Sequence, residues 1–527
     1  MRRQILAMGF RASLAGCLWL VLVAPAAAEL KLATIFTDHM VLQRDQAVNV
    51  WGNADAGAEI TVTVAEKSAT GRAGDDGKWR VSVPALAAGG PHELAVSTST
   101  GDQVKLADVL VGEVWVCSGQ SNMAWTMTRV NNADEEIAAA NYPQIRLVTV
   151  PRRPVPEPQE SFEGSWVVCS PETVPEFSAV GYFFGRELYK ELNVPIGLIN
   201  TSYGGTPAEA WTSLPAMQAK ASLAPLLKRW DDSVAGWDPD QAEADFKLAM
   251  EKWEAAAAKA KEDGKPEPRR PRMAANPAVS AHRPSNLYNG MIQPLIPFGI
   301  RGAIWYQGES NASRAYQYRT VFATMIENWR EQWGQGDFPF IFVQLANFRA
   351  VKDEPAESDW AELREAQLMT RRHLPNTGMA VIIDIGEAND IHPRNKQDVG
   401  KRLALWALAN TYGQKDLVYS GPMLFSAEQR GDQMVLKFKS VGGGLVAKGN
   451  DGKLTGFSIA GPDKKFVWAD AKIDGDTIVV SSPDVKDPQA VRYGWADNPI
   501  CNLYNKEGLP ASPFRTDNWP GITRNSQ

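Results

Sequence analysis

Val109-Leu-Val-Gly-Glu-Val-Trp-Val-Cys117 runs directly into Ser118-Gly-Gln-Ser-Asn-Met123. An apolar run of this length, broken by charge at Glu113 alone, suits a strand buried on both faces of a parallel sheet. Gly119 then permits a tight turn, so Ser121 stands at the strand end with a helix starting behind it. A serine so placed faces substrate and lies close to helix-start amides, which stabilise an oxyanion. Capping of the helix by Ser121 is the plainer alternative. The turn is not a Gly-x-Ser-x-Gly elbow, because Met123 fills the last place.

Working outward, apolar runs of the same kind recur at Ile196–Asn200, Gly302–Tyr306, Phe340–Leu345 and Ala380–Ile385. Helical periodicity separates them at Val180–Leu192, Tyr318–Trp333 and Ala361–Leu374, with Asn193 and Gly334 where C-terminal caps belong. Strand and helix in alternation predict an α/β fold around a parallel sheet. Flanking it, period-two patterning in residues 29–108 (Ala47–Trp51, Glu59–Val64, Lys78–Val83) predicts an N-terminal β-sandwich. The same rhythm in residues 415–527 (Met434–Phe438, Phe466–Trp468, Thr477–Val480) predicts a second β-rich region ending in a loop-like Asn502–Gln527. The α/β core spans 109–414, interrupted at about 216–283 by an insertion. It carries an Ala-rich charged helix at Asp240–Lys261 and a Pro- and Arg-rich loop at Gly264–Arg272.

Residues 1–28 have the plan of a secretory signal peptide: Arg2, Arg3 and Arg11, an apolar run from Leu14 to Val23, and Ala26-Ala27-Ala28 before Glu29. Its removal takes the net charge from −6 to −9, since three arginines leave with it and no acid does. A mildly acidic exported protein has no electrostatic reason to bind nucleic acid or an anionic membrane. Cys117, Cys169 and Cys501 then remain, at spacings that match no zinc site. A Cys117–Cys169 disulfide and three buried free thiols are both open.

Ligands bind beyond the carboxyl ends of strands in such sheets, which makes four segments candidates. Val116–Met123 supplies Ser121. Asn200-Thr-Ser-Tyr-Gly-Gly-Thr-Pro207 brings Gly204 and Gly205, whose backbone can approach a ligand or merely turn. Trp305-Tyr-Gln-Gly-Glu-Ser-Asn311 supplies uncharged donors in Gln307 and Asn311, suited to an oxyanion or to capping the loop. Asp384-Ile-Gly-Glu-Ala-Asn-Asp-Ile-His-Pro393 places His392 and Asp390 before a helix through Arg394–Leu408, with Pro393 in its first turn. Together they provide a hydroxyl, a base, a carboxylate and oxyanion donors, the set acyl transfer needs. No phosphate-loop, dinucleotide or His-Glu-x-x-His motif is present, so neither metal nor organic cofactor is expected.

Gly119–Met123, Trp305–Asn311 and Asp390-Ile-His-Pro-Arg-Asn-Lys396 resemble the signature blocks of the sialate O-acetylesterase family of SGNH hydrolases. Phe36–Gln43 and Val491–Pro499 resemble it too, so the likeness spans nearly all of the chain after the leader. It implies a flavodoxin-like SGNH core flanked by β domains and a cofactor-free esterase acting on O-acetylated sugars. It also implies Ser121 as nucleophile, His392 as base and Asp390 as its orienter. The oxyanion hole it implies draws on Ser121, Gly204 or Gly205, and Gln307, to which the reading of the residues adds Asn311. Asp390 stands two residues before His392, where many SGNH enzymes have three, and Asp384, Glu387 or a backbone carbonyl are the alternatives. Trp125, Trp211 and Trp305 are candidates to stack on a sugar ring, or core aromatics. Acetylated xylan is a rival substrate. A carbohydrate-binding protein with an inactive core and a lipid-directed GDSL enzyme are rival classes, disfavoured by the intact Ser121 and His392 and by the lack of an apolar lid.

Overall fold

A computed structural model of the chain describes residues 29–526; the expected signal peptide lies outside them. The central sheet holds seven strands: β1 (Gln103–Gly119), β2 (Tyr142–Thr149), β3 (Val167–Cys169), β4 (Ile196–Asn200), β5 (Gly302–Tyr306), β6 (Phe340–Val343) and β7 (Thr377–Ala380). They lie in the order β3-β2-β4-β1-β5-β6-β7, all parallel except β3, which runs antiparallel to β2 at the edge. Without the edge pair the order is second-first-third-fourth-fifth, the doubly wound flavodoxin arrangement whose switch point flanks β1.

Right-handed crossovers that leave β1 in opposite directions put their helices on opposite faces. Helix α1 (Ala179–Leu192) accordingly packs with α4 (Lys396–Asn410), and α2 (Ala315–Trp333) with α3 (Asp359–His373). Asn193 and Gly334 end α1 and α2 in the left-handed region, at φ 49° and 66°. The strand expected at Ala380–Ile385 is instead Thr377–Ala380. Val381–Ile383 stay buried without pairing, and the Val381 carbonyl takes a hydrogen bond from Arg402. An apolar run reports burial, not pairing.

β1 is 17 residues long, and its first half belongs to another sheet. There it pairs with Gly89–Thr98, which pairs with Glu59–Val64, itself paired with Lys67–Arg72. A separate three-stranded sheet of Lys31–Leu32, Val48–Asn53 and Lys78–Val83 packs on these. The expected boundary at 108/109 therefore falls inside one strand, and a single hydrophobic core runs from Leu30 to Met423. The C-terminal region has its own core between two four-stranded antiparallel sheets, with Leu436, Ile478 and Val480 facing Phe457, Ile459 and Tyr493. Its tail is not loop throughout: Leu503–Asn505 pairs with Leu445–Ala447, and Phe514 enters the core.

The insertion forms helices Ala224–Ala235 and Pro239–Glu262, the second with no buried residue. Its loop folds back on it, with Trp253 Nε1 donating to the Pro268 carbonyl. Cys117, Cys169 and Cys501 are free thiols. Among the described residues no helix is long and apolar enough to cross a membrane.

Candidate active site

Gly119 ends β1 at φ 140°, and a Cβ there would lie 2.2 Å from the Tyr306 carbonyl oxygen, so only glycine lets β1 and β5 close this tightly. The chain then turns once on the Gln120 carbonyl, which accepts from Met123 and Ala124. The helix expected behind Ser121 is this single turn, after which the chain extends to pair Thr126 with Ser178. Ser121 is left at the tip, and its backbone N–H has no partner among the described residues.

The turn after β4 meets it. Tyr203 N donates to the Gly119 carbonyl at 3.0 Å, and Thr206 Oγ1 to the Tyr203 carbonyl at 2.7 Å. This holds Gly204 against the serine, where a Cβ would come within 3.3 Å of Ser121 Cβ. The N–H groups of Gly204 and Gly205 likewise have no partner among the described residues. Gly205 carries the turn at φ 76°.

Gln307 and Asn311 lie beneath that turn. The Gln307 amide donates to the Thr206 carbonyl (3.2 Å) and to Asn311 Oδ1 (2.7 Å), and accepts from Tyr318. Asn311 accepts from Ala208 N and donates to Glu209. Both side chains are buried, and both amide hydrogens of Gln307 are taken. Gln307 and Asn311, expected as oxyanion donors, instead spend their side chains on fixing the Gly204 turn.

The fourth segment completes the site. His392 Nε2 lies 2.8 Å from Ser121 Oγ. Its Nδ1 is 3.4 Å from Asp390 Oδ1, which also accepts the His392 backbone N–H at 2.9 Å. Asp384 is engaged elsewhere, held by Arg402 at 2.6 and 2.9 Å. The Glu387 side chain accepts from the Arg394 backbone N–H, at 3.5 Å, rather than from His392. Pro393 precedes the helix rather than opening it: α4 starts at Lys396, capped by Asn395. The His392 ring stacks on Trp125. Burial, then the nearby Lys396, hold its imidazole below the usual range, against the opposing pull of Asp390.

Of the three tryptophans, Trp211 and Trp305 are buried in an aromatic cluster with Trp329, and only Trp125 reaches the site. The sequence reading assigned nothing to Asn122, Glu309 or Lys396, which form a polar core directly under the Ser–His pair. Lys396 opens a helix, where no periodicity marks it as buried.

A hydroxyl 2.8 Å from an imidazole, beside free backbone amides at the switch point of a doubly wound sheet, is an arrangement that can carry acyl transfer from an ester. Residues 278–408 match the family model described as carbohydrate esterase, sialic acid-specific acetylesterase. A solved carbohydrate acetylesterase from Xanthomonas citri is 41% identical, with a TM-score of 0.78, covering 93% of this chain and 100% of that one. The sialate O-acetylesterases of Rattus norvegicus and Homo sapiens are each 30% identical, over 92% and 94% of this chain and 94% of each relative. The chain belongs to the sialate O-acetylesterase family, and is a carboxylic ester hydrolase.

Proposed function

We propose that the protein is an exported O-acetylesterase that removes acetyl groups from sugar hydroxyls, O-acetylated sialic acids foremost, through an acetyl-enzyme on Ser121. The 2.8 Å contact between Ser121 Oγ and His392 Nε2 carries this reading. His392 takes the hydroxyl proton at Nε2 as Oγ bonds to the acetyl carbon. The resulting oxyanion faces the N–H groups of Ser121 and Gly204, with Gly205 beside them. Asp390 stabilises the imidazolium through Nδ1–H. The carbon–oxygen bond to the sugar then breaks, and the sugar oxygen takes the proton from Nε2. Water repeats the attack and gives its proton to His392, which returns it to Ser121 Oγ as the acyl bond breaks and acetate leaves. No step calls on a metal or an organic cofactor. Gln307 and Asn311 serve this cycle by holding the Gly204 turn.

A broader reading, action on acetylated polysaccharide such as xylan, is favoured by the likeness to the Xanthomonas citri enzyme, named only as a carbohydrate acetylesterase. Acetate release from O-acetylated sialic acids and from acetylated xylan, measured side by side for the wild type and Ser121→Ala, tests both. Release from sialic acids alone, abolished in the variant, supports the first reading; release from xylan alone replaces it with the second. Undiminished release by folded Ser121→Ala overturns the mechanism.

A further inference from the structure

Asn122 follows Ser121 in sequence, yet its side chain is buried and spent entirely inside the protein. Its Nδ2 donates to Glu309 Oε1 at 2.7 Å and to the Ile391 carbonyl at 3.0 Å; its Oδ1 accepts from Lys396 Nζ at 2.6 Å. One amide thus ties three segments together: the turn bearing Ser121, the loop after β5, and both flanks of His392. Ile391 and Lys396 stand on either side of the base in sequence, so the distance between nucleophile and base is set through Asn122.

Lys396 is an unusual choice for this place. It is completely buried in the first turn of α4, where the helix dipole opposes a cation. Its bond to Asn122 is the only one Nζ makes among the described residues, and its other neighbours are the faces of Trp125 and Tyr306, at 5.6 and 5.3 Å. Glu309 Oε2 is buried with no hydrogen-bond partner among the described residues. A lysine and a carboxyl group joined only through an amide are two ionisable groups buried without direct contact. Such pairs are costly to hold; packing alone would be better served by apolar side chains.

We propose that Asn122, Glu309 and Lys396 form a buried clamp that holds Ser121 and His392 in register, with Lys396 set beside the base across the Trp125 ring. All three are positioning residues, and the proposal rests on the Ser121–His392 reading above. His392 and Lys396 lie against the same Trp125 ring. Around them the nucleophile segment contributes Arg129, the loop after β5 contributes Glu309, and the base loop contributes Asp390 and Glu387. Arg129 adds to the effect of Lys396 on His392, Asp390 opposes it, and Glu309, Asp390 and Glu387 favour the ammonium. In the acid range where an imidazole would ordinarily take a proton, Lys396 is charged and resists a second cation beside it. The base is therefore free to receive the serine proton at a pH where an isolated histidine would be blocked.

The test compares the full chain with Asn122→Ala and with the double variant Lys396→Met/Glu309→Gln, which removes both buried charges and leaves neither orphaned. Each histidine of the chain gives one ring signal by NMR, and that of His392 is the one lost in His392→Gln. Titration of that signal needs no turnover, so it reads the clamp even if Ser121 proves not to be the nucleophile. The double variant should raise the His392 midpoint by about one unit, the size expected for removing a nearby like charge. Asn122→Ala, still folded by circular dichroism, should lose about 10²-fold in kcat with KM little changed, as for a misplaced reacting pair. An unmoved His392 midpoint in the double variant overturns the role of Lys396. A kcat for folded Asn122→Ala within about threefold of wild type overturns the clamp.

Discussion

Trp125 lies flat against His392, with ring centroids 4.8 Å apart and planes 16° from parallel. The contact shields the imidazole from water and fixes its rotation about the bond that aims Nε2 at Ser121. Trp125→Ala should therefore lower kcat by about 10²-fold, while Trp125→Phe, which keeps a flat face, should retain most of it. Steady-state kinetics on p-nitrophenyl acetate read both; equal losses in the two variants would mean that stacking is not what positions the ring.

His392 must be neutral to accept the serine proton, and its imidazole is held below 6.5. The sign follows directly: lowering the midpoint extends the neutral form to lower pH. The acid limb of kcat/KM should bend below pH 6.5, and the profile in the free enzyme reports it. A limb above that value would show the Asp390 carboxylate outweighing burial and Lys396.

Asp390 is 43% exposed and 3.4 Å from Nδ1, whereas Asp384 is committed to Arg402. Asp390→Asn should cost at least ~10² in turnover, in keeping with the loss of a triad carboxylate. Asp384→Asn should lower the melting temperature and leave turnover nearly intact. The reverse pattern would reassign the orienter.

Burial holds the Lys396 amine down to about 7, against 10.5 for a free lysine. Between these values the unfolded chain binds the proton that the folded chain has shed, so stability from this group rises with pH. The melting temperature of the wild type, relative to Lys396→Met/Glu309→Gln, should climb from pH 7 to 9.5 and level off beyond the lysine's ordinary range. A difference that stays flat would mean that Lys396 remains charged in the folded state.

Among the described residues no group of three or more His, Cys, Asp or Glu side chains is placed to hold a metal. Activity should survive dialysis against EDTA and fall to a serine-directed fluorophosphonate that labels Ser121. Loss on chelation with recovery on adding zinc would contradict this.

How much of this was legible in the sequence depended on what carried the signal. Four of the five expected parallel strands stand where their apolar runs placed them, because such runs follow from burial on two faces; the fifth run, Ala380–Ile385, is buried but pairs only at its first residue. The edge strands Tyr142–Thr149 and Val167–Cys169 passed unnoticed because they lack such runs. Ser121 and His392 could be read from strand-end position and side-chain chemistry, 271 residues apart and in contact. Gln307 and Asn311 drew attention for the right reason, polar groups after a buried strand, but residue type does not say which way an amide points. The partners of Asn122 and Lys396 were invisible, since both depend on three segments meeting below the surface.

The 17-residue strand that starts in the N-terminal sheet and ends at Gly119 bears on how this enzyme is cut and joined. A shortened version beginning at the apparent start of the α/β core would expose β1 along the edge where Gly89–Thr98 now pairs, and strip apolar cover from Val109 and Val111. The smallest transplantable catalytic unit therefore starts near residue 30.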